Sequence, residues 1–251
     1  MRLTKEQRAE IRALWATGNF KKSELATQFG VSHQSITKIV NKPTEVTESS
    51  VTVPITEPKP RKKLKFAFVG SRELSDPSNE AEAEVFFQVA YTCATLGIGY
   101  RSGGALGADY ISELAYRTAL DEGHENDIEI YVPNGYFRAE SSKDNPLQSY
   151  HVIPNKDTYE YRKEIIKSIH PKPSALTSFA MALHCRNVNQ LCGDDLESNV
   201  DAVVCWTKDG KTVGGTATAI NLAGYLDIPV FNLGANTENV LNALEAYIKE
   251  N

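Results

Sequence analysis

Arg101-Ser102-Gly103-Gly104-Ala105-Leu106-Gly107-Ala108-Asp109 is the stretch whose reading decides the fold. A strand-like run, Ile98-Gly99-Tyr100, stops at this glycine-dense turn, and a helix-like run from Tyr110 to Leu120 follows at once. Strand, glycine turn, helix is a phosphate-binding arrangement. Glycines without a Cβ let the backbone approach an anion, and the unpaired NH groups at the helix start, with the helix dipole, favour negative charge. The spacing is neither Gly-x-Gly-x-x-Gly nor a Walker loop with its Lys, so a standard dinucleotide or ATP site is not supported. Two readings stand: a phosphate cradle with Ser102, Gly103, Gly104 and Gly107 as contacts, or a tight turn that needs small residues.

The flanking sequence repeats the same unit. Leu64 to Arg72 is a β-rich run whose end, Gly70-Ser71-Arg72, offers a hydroxyl and a guanidinium fork to phosphate oxygens. A helix from Glu80 to Leu96 and a strand from Ile128 to Val132 follow, the latter stopped by Pro133-Asn134-Gly135. From Tyr136 to Pro154 the pattern loosens into a polar, irregular segment, with Arg138 just past the strand tip as a further anion contact. Thr158 to His170 and Pro173 to Cys185 read as helices, the second ending at the polar cluster His184-Cys185-Arg186-Asn187-Val188-Asn189-Gln190. Arg186 and Asn187 are ligand candidates; His184 reads either as a general acid or base or as a structural group.

After a buried strand, Asp201 to Trp206, a second glycine turn, Gly214-Gly215-Thr216, opens a helix to Leu226 and again puts amides and a hydroxyl at a helix start. A strand over Ile228 to Asn232 and an amphipathic helix over Glu238 to Lys249 close the chain. Strands alternating with helices predict an α/β fold, a Rossmann-like parallel sheet with helices on both faces and ligands at the carboxyl ends of the strands. Asp109 and Glu113 are the candidate catalytic acids, although Asp109 in the first turn of its helix also fits a capping role.

Residues 1–43 differ in kind. They hold eight basic side chains against three acidic ones, a local balance of +5 that leaves −10 for the rest of a chain whose total is −5. Such asymmetry predicts two modules with different partners. Thr4 to Ala16, Lys21 to Phe29 and a run capped by Ser32 read as three short helices, giving a small all-α module ahead of the α/β body. The pattern Leu25-Ala26-Thr27-Gln28-Phe29-Gly30-Val31-Ser32-His33-Gln34-Ser35-Ile36 resembles the helix-turn-helix family. That resemblance implies a helix in the major groove of double-stranded DNA, with His33, Gln34, Ser35, Thr37 and Lys38 near bases or phosphates. A trihelical docking or oligomerisation module is the alternative. Residues 44–63, rich in Thr, Glu and Pro, read as a flexible linker, so the body spans 64–251.

No apolar run reaches membrane-spanning length and no signal-peptide h-region opens the chain, which predicts a cytoplasmic protein without a membrane partner. Cys93, Cys185, Cys192 and Cys205 include no Cys-x-x-Cys, so buried reduced thiols are expected rather than disulfides or metal ligands.

Val69-Gly70-Ser71-Arg72, Ser102 through Asp109, and Gly214-Gly215-Thr216 with Ile228-Pro229-Val230 together resemble the SLOG superfamily. Within it they resemble most the YspA-like branch, with the Lonely Guy phosphoribohydrolases and the DNA-processing protein A as distant relatives. The resemblance covers roughly residues 64 to 235. It implies a Rossmann-like sheet holding a nucleotide or nucleotide-derived molecule by its phosphate; beyond that ligand the sequence specifies no cofactor. The segment from Arg186 through Trp206, with Gly215-Thr216, also resembles proteins of tailed phages, which would place the protein in a host cytoplasm. Related domains pair through helices, and a reader of palindromic DNA favours a dimer, so a homo-oligomer is expected. One departure bears on catalysis: Lonely Guy enzymes carry a catalytic Glu three residues after the Thr of their Gly-Thr turn, where this chain has Ala219. Nucleotide sensing or sequestration therefore leads. Hydrolysis of an N-glycosidic or phosphoester bond comes second. A DNA-handling body comes third, since its acidic charge opposes phosphate tracking.

Overall fold

The computed structural model describes residues 3–16, 20–40, 63–134, 137 and 149–251. The chain divides into two compact units, Met1–Glu57 and Pro58–Asn251. The linker assigned to 44–63 lies outside the described residues except for Lys63.

The first unit holds helices α1 (Lys5–Ala16), α2 (Lys22–Gln28) and α3 (His33–Val40). A reciprocal capping box starts α1: Gln7 N donates to Thr4 Oγ1 at 3.2 Å and Thr4 N to Gln7 Oε1 at 3.0 Å. Gly30, at φ +63°, makes the turn between α2 and α3, and Ser32 Oγ accepts from Ser35 N to cap α3. Ile11, Leu25, Ala26 and Ile36 form the small buried core.

The described residues of the second unit form six parallel strands: β1 (Lys65–Gly70), β2 (Gly99–Ser102), β3 (Ile128–Tyr131), β4 (His151–Val152), β5 (Ala202–Trp206) and β6 (Val230–Asn232). Their order is β4-β3-β2-β1-β5-β6, the Rossmann-like α/β sheet expected. Because side chains alternate across a strand, Phe66 and Phe68 enter one core with α4 (Glu80–Thr95), α5 (Ala108–Asp121) and α9 (Thr237–Glu250). Ala67 and Val69 enter the other with α6 (Tyr159–Ile169), α7 (Ser178–Cys192) and α8 (Gly214–Tyr225). All four cysteines are free and buried, and burial pushes the Cys93 and Cys205 thiols up to about 12. Among the described residues no helix is long and apolar enough to cross a membrane.

Two expectations change. The segment read as irregular up to Pro154 contains β4, whose two residues pair with Ile130 and Tyr131. A strand that short carries no alternation, and only its partner defines it. The helix expected over Pro173 to Cys185 starts later and runs further. Pro173–Ala175 is a separate 3-10 turn, Thr177 caps α7 at 3.1 Å from Ala180 N, and the polar cluster lies inside the helix, which ends at Gly193 with φ +78°. Hydrogen bonds hold part of that cluster. Arg162 Nη1 donates to Asn189 Oδ1 at 2.6 Å, and Asn189 Nδ2 to Gly193 O at 3.0 Å. Tertiary bonds thus override a run of poor helix formers.

Candidate functional site

The chain runs from β1 outward through β2, β3 and β4, then returns to place β5 and β6 on the other side of β1. The strand order therefore reverses between β1 and β5, and a crevice opens at the carboxyl ends of such a pair. A cavity of about 480 Å³ occupies that place. The tip of β1 contributes Val69 through Glu73, and the end of β5 contributes Thr207 and Lys208. One face of α7 supplies Ala180, Leu183, His184, Asn187 and Gln190, the i, i+3, i+4 spacing of a single helical stripe. The opening turn of α8 closes the wall with Gly214, Gly215 and Thr216.

The α8 end has the features of an anion site. Among the described residues no side chain caps the helix, Gly214 turns in at φ +67°, and a Cβ on Gly215 would meet nothing within 4 Å. Arg72 is exposed and its side chain makes no hydrogen bond or ion pair among the described residues; the Lys208 side chain lines the cavity without a hydrogen bond among them, its charge felt by Asp76 and Asp209. Ser71 caps the short turn after β1, accepting from Glu73 N at 3.2 Å. Thr207 is held in place by Asn232, whose Nδ2 donates to its Oγ1 at 2.7 Å.

The first glycine turn plays a different part from the one expected of it. Ser102, Gly103, Gly104 and Gly107 do not line the cavity, because the chain's own atoms fill the space that their missing side chains leave. A Cβ on Gly103 would stand 1.9 Å from Gln190 Nε2; on Gly104, 2.9 Å from Ile130 Cγ2; on Gly107, 2.4 Å from Ser71 O. Ser102 is buried beside Ile130 at the end of β2. The turn's amides serve an internal anion: Ala105 N donates to Asp109 Oδ2 at 3.3 Å.

Asp109 lines the cavity and is 3 % exposed. Burial raises its carboxyl above the ordinary range, opposed by the nearby Arg186 guanidinium and the amides of Ala105, Gly103 and Gly70. Arg186 and Asn187 also line the cavity, but their polar atoms are largely engaged. Arg186 donates to Gly103 O at 2.7 Å and to Asn187 Oδ1 at 3.3 Å beneath the Phe137 ring, and Asn187 Nδ2 donates to Gly215 O at 3.1 Å. These two residues fasten α7 to the glycine turn and to α8. Glu113 is a correction: it is buried against β4, its Oε1 3.9 Å from His151 Nε2, and does not line the cavity. Arg138 lies outside the described residues.

His184 and Gln190 belong to the cavity as well. His184 Nδ1 and Thr218 Oγ1 share a hydrogen bond at 2.8 Å, and burial, with His170 and Arg186 nearby, holds the imidazole below its ordinary value. Gln190 joins the site through the helical stripe 180, 183, 184, 187, 190, which a helix ending at Cys185 does not reach. In the first unit, His33, Gln34 and Lys38 are exposed on α3, and Ser35 and Thr37 are half-buried, the Thr37 hydroxyl donating to His33 O at 3.0 Å. No protein-family model, curated protein or solved structure matches the chain.

Proposed function

We propose that the second unit is a SLOG-type module that binds a nucleotide or nucleotide-derived phosphate in the switch-point cavity, holding rather than cleaving it. The observation that carries this reading is one cavity bringing together the start of α8, without a side-chain cap among the described residues, and two cations whose side chains make no hydrogen bond among them, Arg72 and Lys208. Backbone amides and the dipole stabilise an anion at a helix start, and an arginine fork adds bidentate bonds to phosphate oxygens. Retention rather than hydrolysis follows from the acids. Ala219 lines the wall where Lonely Guy enzymes carry their Glu, Glu113 faces β4, and Asp109 is engaged by Ala105 and Arg186.

Calorimetric titration with ribose 5-phosphate and the four nucleoside 5′-monophosphates tests the reading. Gly215→Asp puts a carboxylate where the phosphate belongs, in open space and at a helix position that favours an acid, so binding is lost while the melting temperature holds. Arg72→Ala weakens binding by about tenfold, the size of one charge-assisted hydrogen bond. Unchanged affinity in both variants would place the ligand elsewhere, and chromatographic detection of released base or phosphate would make the protein a hydrolase.

The first unit is proposed to dock double-stranded DNA through α3, because His33, Gln34 and Lys38 stand exposed after the Gly30 turn. Lys38→Ala then lowers the slope of log affinity against log salt by about one; a slope equal to that of the wild type counts against the docking.

A further inference from the structure

Gln190 lines the cavity and is 1 % exposed, yet neither its Oε1 nor its Nε2 makes a hydrogen bond among the described residues. The Nε of Arg186 is buried and unbonded as well. A Cβ on Gly103 would stand 1.9 Å from Gln190 Nε2 and 2.7 Å from Arg186 Nε, so both groups crowd the same point at the inner wall. A buried carboxamide with no partner opposes folding, and natural chains keep such groups where something else satisfies them.

The neighbourhood limits what that something is. Asp109 lies beside the same turn, drawing on the Gly103 amide, with Arg186 as its opposite charge. A second anion at this end would face the Asp109 carboxylate, so the group that meets Gln190 is neutral. A carboxamide offers an acceptor next to donors, and its complement is a neutral edge with a donor next to an acceptor. Nucleobases carry such edges, and Gln pairs with adenine in this bidentate way. Asn187 marks the level of the α8 turn through its bond to Gly215, and Gln190 lies three residues further, about 4.5 Å along α7.

We infer that Gln190 is the base-recognition group of the cavity: a mononucleotide sits with its phosphate at the start of α8 and a donor–acceptor edge of its base on the Gln190 amide. The inference rests on the nucleotide reading above. Arg186 Nε lies within the same subsite as a second donor.

The full chain is titrated with ribose 5-phosphate, AMP, GMP, CMP and UMP, and then again with Gln190→Met, which keeps the length of the side chain and removes its polar atoms. In the wild type, at least one nucleotide binds about tenfold or more tightly than ribose 5-phosphate, the discrimination expected of a bidentate pair. Gln190→Met brings that nucleotide to within about twofold of ribose 5-phosphate, because one good pair accounts for the preference. Without ligand, the variant melts about 2–4 °C higher, since a thioether needs no partner there. Gln190→Glu, of the same shape but without donors, loses the preference too and serves if the Met variant does not fold. A wild type that binds ribose 5-phosphate as tightly as every nucleotide overturns the base subsite and leaves the phosphate site standing. So does a preference that survives in both variants. Binding of none of the five ligands overturns both readings together.

Discussion

Gly103, Gly107 and Gly215 look alike in sequence and differ in what surrounds them. A side chain on Gly107 would press 2.4 Å from Ser71 O and 2.5 Å from Arg72 Cα, both backbone, and the residue holds φ +86°, ψ −133°. Gly103 would press on the ends of Gln190 and Arg186, which shift by rotamer changes, whereas Gly215 would press on nothing within 4 Å. Gly107→Ala therefore costs about 3 kcal/mol or more, combining a disfavoured backbone region with an unyielding neighbour. Gly103→Ala costs about 1–2 kcal/mol. Urea unfolding of both variants checks the order. Adding Gln190→Ala to Gly103→Ala recovers part of the loss, because the two positions share one space and couple. Equal costs for the two alanines would mean that α7 holds its side chains as rigidly as backbone.

At the scale of elements, α7 shows what could be read in advance and what could not. β1 and β5 are legible because Phe66-Ala67-Phe68-Val69 and Ala202 to Trp206 are unbroken apolar runs, and strands buried on both faces look that way. The β1 tip and the α8 turn were legible because their chemistry is local: hydroxyl, guanidinium and glycine within three residues of a strand or helix end. The use of Gly103 was not, since Arg186, which bonds its carbonyl, is 83 residues away in sequence. Nor was the full length of α7, where Asn189 is held from α6 and His184 and Asn187 from α8. His184 carries this dependence into pH. Burial, with His170 and Arg186 nearby, holds its imidazole below the ordinary 6.5, so the unfolded chain takes up a proton before the folded one does. The stability this supplies is complete above pH 6.5 and is lost as pH falls toward the lowered folded value. Unfolding free energy should thus fall more steeply as pH drops below about 6.5 in the wild type than in His184→Gln, by no more than about 1.4 kcal/mol per pH unit. Parallel curves would assign the acid sensitivity to other groups.

For the molecule as a whole, the two units differ in how much core each can count on. Among the described residues, Ile11, Leu25, Ala26 and Ile36 are the buried apolar ones of the first, whereas two clusters, one on each face of a six-stranded sheet, support the second. Burial per residue rises with domain size, so the first unit is the less stable. Scanning calorimetry of the full chain should then show two transitions, a small one at lower temperature and a larger one above it. Ligand linkage identifies them: whatever binds only the folded form of a unit raises that unit's transition, by about 2.7 kcal/mol at a hundredfold excess over Kd. A nucleotide filling the switch-point cavity should move the upper transition and leave the lower in place, while duplex DNA should do the reverse. The opposite charge of the two parts, +5 over residues 1–43 against −10 over the remainder, makes the second arm sensitive to salt and the first far less so. A single transition displaced by either ligand would instead join the two units energetically, and occupancy of the cavity would then have to alter the affinity for DNA by the same factor as DNA alters the affinity for nucleotide.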